Sequence, residues 1–145
     1  EVRGGIKSRQ LVADVLREAF PNMPRHIHII TPDEEASTYA LAGVANAVVI
    51  YGTKMGVELT PLGKPVIVAG EAWIRNKGVT QDARDKPHYF SLLDQLPLAP
   101  GQAEPDRERA LRYAYHFFFR RMIPLPFLEP NGTGAMFDVA VESVA

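Results

Sequence analysis

At 145 residues the chain has the size of one domain, and 46% of it is hydrophobic, enough to bury a core. Its 16 basic and 17 acidic side chains nearly cancel, so it lacks the cationic field of a nucleic-acid binder, and no nucleic-acid partner is expected. The absence of cysteine excludes a disulfide framework and a thiolate metal site and is compatible with a reducing compartment, and no apolar run reaches the roughly 18–20 residues of a membrane span.

The chain begins Glu-Val-Arg-Gly-Gly, with neither an initiator Met nor a signal-peptide core, and is read as starting inside a longer protein. Lys7 and Arg9 are assigned to surface charge. Residues 8–20 place Leu11, Val12, Val15, Leu16 and Phe20 at helical spacing, with Ser8 as N-cap. Pro21 and Pro24 end that helix. His26 to Ile30 is a candidate strand, followed by a turn at Thr31-Pro32-Asp33. A helix is expected from Ser37 to Ala45. Ala47 to Tyr51 is an unbroken apolar run, the pattern of a parallel strand covered on both faces. The next helix runs from Thr53 to Leu62, with Gly63 at its C′ position, and Pro65 to Ala69 is a further buried strand. Gly70 to Asp85 reads as a long polar loop, Pro87 to Leu96 as a helix with Pro in its first turn, and Pro97 to Pro105 as a linker-like stretch. Glu104 to Met122 is the longest predicted helix. The tail from Pro124, rich in Pro and Gly, carries no assignment.

This alternation predicts an α/β fold, a Rossmann-like three-layer domain with a mostly parallel sheet, spanning residues 1–145 as a single unit. In such sheets ligands bind beyond the carboxyl ends of the strands, which directs attention to the loops after Ile30, Tyr51 and Ala69. The segment Tyr51 to Gly70 is the most informative of these. Gly52 allows close backbone approach, and a helix beginning at Thr53 would aim free N–H groups at an anion. Thr53 adds a hydroxyl, Lys54 a cation, and Gly56 an open first turn, while Glu58 could accept hydrogen bonds from a ribose diol. The same strand–Gly–helix junction also occurs as a purely structural element, so spacing alone leaves both readings open.

Residues 52–83, GTKMGVELTPLGKPVIVAGEAWIRNKGVTQDA, resemble the C-terminal domain of the capsule polysaccharide biosynthesis glycosyltransferases, which are related to the Kdo transferases of capsule export. Thr53, Gly56 and Glu58 match the family's Ser-Thr-x-Gly-x-Glu element. Gly63, Lys64, Pro65 and Val66 match its Gly-Lys-Pro-Val, and Lys77, Gly78, Thr80 and Asp82 its Lys-Gly-Phe-Thr-x-Asp. Gly52 stands where the family often has Ser, and Val79 where it often has Phe. The resemblance is good from about Thr38 to Asp82, roughly a third to a half of the chain, and its elements fall in the family's order. It implies the C-terminal, donor-binding half of a two-domain GT-B glycosyltransferase, with the acceptor and the catalytic base on a missing N-terminal domain. Glu1 stands where the family's His-Pro-x-Glu element would end, so the isolated chain is expected not to turn over.

Further candidates surround this core. Arg75 and Lys77 could bind phosphate or a sugar carboxylate, and Trp73 could stack on a base or sugar. The resemblance turns Ser37, Thr38 and Tyr39 toward the nucleotide base or ribose, against the plain reading of a helix start capped by Ser37. Asp82 is read as a cap on a following turn. His26 and His28 share one strand face without acidic partners and are assigned to packing or surface, as are His88 and His116 to structure, so no metal site is expected. Residues 112–123, RYAYHFFFRRMI, read either as a helix at a membrane surface or as one returning to the missing domain, the second being preferred, with the whole helix at 104–123 placed against that domain. The donor-site residues are thus Thr38, Gly52, Thr53, Lys54, Gly56, Glu58, Arg75 and Lys77, with the catalytic residues unassigned and no cofactor required. The expected partners are a nucleotide-sugar donor and a saccharide or glycolipid acceptor, in the cytoplasm, with association at the inner membrane left open. A nucleotide-sugar epimerase-like domain and a non-catalytic interaction domain of a polysaccharide export complex are the alternatives.

Overall fold

Three short parallel strands organise the central part of the chain: β1 (Val48–Ile50), β2 (Val66–Val68) and β3 (Gln81–Asp82), hydrogen-bonded in the order β1-β2-β3. The computed structural model describes residues 10–31 and 34–123, together with the backbone of two further strands, Leu128–Pro130 and Phe137–Val139. Five helices accompany the strands: α1 (Val12–Ala19), α2 (Thr38–Val44), α3 (Met55–Leu59), α4 (Lys86–Leu93) and α5 (Arg107–Tyr115). The fold is mixed α/β. The chain divides into two units, one of Ser37–Ile123 and one of Glu1–Ala36 with Pro124–Ala145.

In the 37–123 unit, every residue of β2 is buried. Val66 and Val68 face a cluster with Val57 and Leu59 of α3 and Ala110 of α5, whereas Ile67, one residue out of phase, packs with Ala83 and Leu92 of α4. The two-residue period of a strand thus sends its side chains into two cores, which is why an uninterrupted Val-Ile-Val run suits this position. In-register pairing of Val48 with Val66 and of Ile50 with Val68 aligns the carboxyl ends of β1 and β2. β1 is less enclosed than its composition suggests. Val49 is 42% exposed, because β2 is its sole strand neighbour among the described residues.

The crossover from β1 to β2 is made by α3 and a 3-10 turn at Thr60–Leu62. Gly63 ends it in the left-handed region, φ 84°, where a Cβ would be strained. Lys64 then donates to the carbonyls of Gly43 and Ala45 at the end of α2, satisfying groups that a helix C-terminus leaves free. The polar segment after Gly70 contains β3, whose two residues pair with Ile67 and Val68, so it is not wholly loop. The stretch after Pro97 is anchored rather than free. Leu98 is buried, and its backbone exchanges two hydrogen bonds with the Asn46 side chain, 2.7 and 3.0 Å. The predicted helix at 104–122 is α5 continued by a π-helical turn at His116–Arg120. Asp106 caps its start and Ala110 and Phe117 face the core.

The other unit departs from expectation. α1 begins at Val12 behind Leu11, without a side-chain cap, and buries none of its residues. Residues 26–30 form no strand, so His26 and His28 do not share a strand face. Ile27 and Ile30 are about half exposed there. β4 (Leu128–Pro130) and β5 (Phe137–Val139) pair antiparallel, Glu129 opposite Asp138. Glu1, Lys7, Ser8, Arg9, the turn at Pro32-Asp33 and most of the tail from Pro124 lie outside the described residues.

Candidate functional site

The loops leaving β1 and β2 meet at the carboxyl edge of the sheet, and glycine permits the approach. A Cβ on Gly52 would stand 3.2 Å from the Glu71 carbonyl oxygen, and one on Gly70 would overlap the Tyr51 ring at 2.6 Å. Gly52 therefore admits the neighbouring loop. Gly56 likewise serves packing, since a Cβ there would lie 2.7 Å from both Ile50 Cδ1 and Ile74 Cγ2.

Beside that edge, α2 and α3 hold a polar cluster. Glu58 Oε1 lies 3.1 Å from Lys54 Nζ one helical turn earlier, and Glu58 Oε2 accepts a 2.7 Å hydrogen bond from the Tyr39 hydroxyl. The Glu58 side chain is largely enclosed, whereas Lys54 and Tyr39 are exposed. The hydrogen bond to Glu58 is the leading cause that raises both the Lys54 ammonium and the Tyr39 phenol above their ordinary values, with the Glu58 charge adding in the same direction. The helix starts at Met55 rather than at Thr53, with Lys54 at its N-cap, and the Met55 N–H expected to face an anion is taken by Thr53 Oγ1 at 3.3 Å, the local competition that threonine hydroxyls offer the backbone. Ser37 accepts from Ala40 and so caps α2, as its position before Thr38 suggests. Thr38 and Thr53 both line a cleft of about 360 Å³ between α2 and β1, whose remaining wall is apolar and includes Leu41, Val49 and Met55.

Arg75 and Lys77 stand apart from this cluster. The Arg75 guanidinium donates to the carbonyls of Gly70 and Ala83 at 3.1 and 2.5 Å, tying the ends of β2 and β3 together with its fork of donors. Lys77 lies over the Tyr113 ring, 5.6 Å from its centroid. No described interaction joins either to Lys54 or Glu58. Trp73 packs against Phe117, ring centroids 5.2 Å apart, with one side in solvent, and its carbonyl accepts a 2.6 Å hydrogen bond from Tyr113. Burial pushes the Tyr113 phenol above its ordinary value. Asp82 does not cap a following turn. Its two oxygens accept from the Asn76 N–H and the Thr80 hydroxyl, both at 2.7 Å, and so close the preceding loop, which passes through positive φ at Asn76 and Gly78. The cap of α4 is Asp85, bound to the His88 N–H. His88 Nδ1 in turn accepts from the Arg84 N–H.

Sequence reasoning did not single out Asn46 or Tyr113. Their partners lie 52 and 40 residues away, and no local pattern encodes such pairs. A second depression, of about 390 Å³, lies in the 1–36 segment between Phe20, Met23 and Ile30, with Arg17 and His28 among its lining, and holds none of the predicted site residues. Set against protein-family models, curated proteins and solved structures, the chain matches none.

Proposed function

We propose that this chain is the donor-binding part, Rossmann-like in kind, of a GT-B glycosyltransferase that uses a nucleotide sugar in capsule or surface polysaccharide biosynthesis. The observation that carries the reading is the Lys54–Glu58–Tyr39 cluster beside Thr53 at the carboxyl end of β1, where open α/β sheets take their ligands. The ordered match of Thr53, Gly56 and Glu58, then Gly63 to Val66, then Lys77 to Asp82, supports the same reading.

In this mechanism Lys54, with its ammonium in solvent, swings from Glu58 to the donor phosphate, and the Thr53 hydroxyl adds a hydrogen bond. Glu58, released from Lys54, accepts from the ribose hydroxyls, with Tyr39 holding its other oxygen. The acceptor hydroxyl, on a saccharide or glycolipid, attacks the anomeric carbon. The bond from that carbon to the phosphate oxygen breaks, and the phosphate departs carrying the negative charge that Lys54 stabilises. The base that takes the hydroxyl proton belongs to an N-terminal domain outside this chain, and the reaction runs in the cytoplasm. Arg75 acts by holding the β2 and β3 loops in place, while Lys77 is engaged over the Tyr113 ring.

Calorimetric titration with CMP, UDP and GDP tests this. One nucleotide should bind saturably, and Glu58→Gln should weaken it by about 10–100-fold, the worth of a hydrogen bond to a charged group. Thr53→Ala should weaken it less. Absence of binding for all three nucleotides, or binding indifferent to Glu58→Gln with the fold intact by circular dichroism, would sink the proposal.

A further inference from the structure

The helix α5 and its π-helical extension carry two apolar faces. One, through Ala110 and Phe117, belongs to the core. The other is uncovered: Leu111, Tyr115 and Phe119 recur every fourth residue, and Met122 and Ile123 follow, all more than half exposed. The Tyr115 and Phe119 rings stack, centroids 5.4 Å apart and planes at 27°, so the two form one aromatic plate. A stacked, solvent-facing aromatic pair continued by two aliphatic side chains is a costly surface for a protein to leave in water.

Charge indicates what covers it. Arg120 and Arg121 adjoin the plate and are exposed, and neither takes part in an ion pair among the described residues. Arg109 and Arg112, earlier on the helix, are neutralised by Asp106 and Glu108, so the unpaired positive charge is concentrated at Arg120 and Arg121, beside the aromatic plate. Apolar and aromatic side chains along a helix face and just past its end, beside two unpaired arginines, combine hydrophobic insertion with attraction to anionic headgroups. No helix among the described residues is long and apolar enough to cross a bilayer, so the contact is with its surface.

We infer that the exposed face of α5 and its extension (Leu111, Tyr115 and Phe119), together with Arg120, Arg121, Met122 and Ile123 at and just beyond its end, docks on the surface of an anionic lipid bilayer. Tyr115 and Phe119 lie at the headgroup level with Met122 and Ile123 reaching the acyl boundary, while the arginines neutralise lipid phosphates. This docking does not depend on nucleotide binding and would serve any activity whose acceptor is held at a membrane.

Flotation with vesicles of phosphatidylcholine alone, and of phosphatidylcholine with phosphatidylglycerol, tests it on the whole chain. The protein should float with the anionic vesicles, stay behind with the zwitterionic ones, and be released by salt. The double variant Arg120→Gln/Arg121→Gln should lose about 30-fold in partitioning. Phe119→Ser, at a position largely in solvent, should lose about 10-fold or more with its melting transition unchanged. Absence of flotation with anionic vesicles would overturn the inference, as would equal flotation with both vesicle types. Concentration-dependent self-association without lipid, abolished by Phe119→Ser, would also overturn it, assigning the face to a second copy of the chain.

Discussion

Val66-Ile67-Val68 and Ile27-His28-Ile29-Ile30 are both short runs rich in β-branched residues, each with a proline within three residues before it, yet they end in different environments. The first is a strand with every side chain buried, and the second is irregular, with Ile27 and Ile30 about half exposed. The difference lies in what each run is offered. Val66–Val68 pairs with Val48–Ile50 on one side and Gln81–Asp82 on the other, while α3, α5 and α4 supply apolar cover for both faces. No strand or buried cluster among the described residues takes in Ile27–Ile30. β propensity is chiefly a preference for a pleated, half-buried surface, so without partners it decides little. α1 teaches the same lesson for helices. Its apolar residues are spaced for burial, and it buries none of them.

The contrast can be broken most forcefully at Ile67. Its side chain is almost wholly enclosed between β2 and α4, so Ile67→Ala should cost about 2–5 kcal/mol in urea-induced unfolding, whereas Ile30→Ala should change stability by no more than about 0.5 kcal/mol. Similar costs at the two positions would mean that the 26–30 run has a packed partner after all. Gly56→Ala comes next. The new methyl would meet Ile50 and Ile74 side chains inside the core, and overpacking there should cost about 1–3 kcal/mol. A neutral result would show that the α3 start can yield. The smallest effect is expected at the surface cluster in alkaline solution. Lys54 and Tyr39 both have raised pKa values in the fold, so their contribution is complete below the ordinary values of 10.5 and 10.0 and is lost as pH rises through the folded values. Comparing phenolate absorbance of the wild type with that of Tyr39→Phe should give a Tyr39 midpoint above 10.0. A midpoint at or below it would mean that the hydroxyl does not hold Glu58 in solution.

Much of the candidate site could be read locally. Lys54 and Glu58 stand four apart on one helix, Ser37 precedes a helix it caps, and Gly63 marks the end of the crossover. What could not be read is the use to which each side chain is put. Gly52 and Gly56 suggest ligand approach, but the space beside each is taken by Glu71 and by Ile50 with Ile74. Arg75 has the composition of an anion ligand, yet three backbone carbonyls surround it. Asp82 looks forward in sequence to a turn and in fact closes the loop behind it.

The sequence by itself determined the α/β alternation around Val48 and Val66, the crossover between them and the glycine that ends it, because apolar periodicity and helix-end signals act over a few residues. Only the tertiary structure decided that Gln81–Asp82 would be a strand, that Asn46 would hold Leu98, that Tyr113 would reach Trp73, and that Ile27–Ile30 would go unpaired. Each of these depends on which distant surface comes within hydrogen-bonding or packing distance once β2 is enclosed, and short-range sequence pattern carries no record of that.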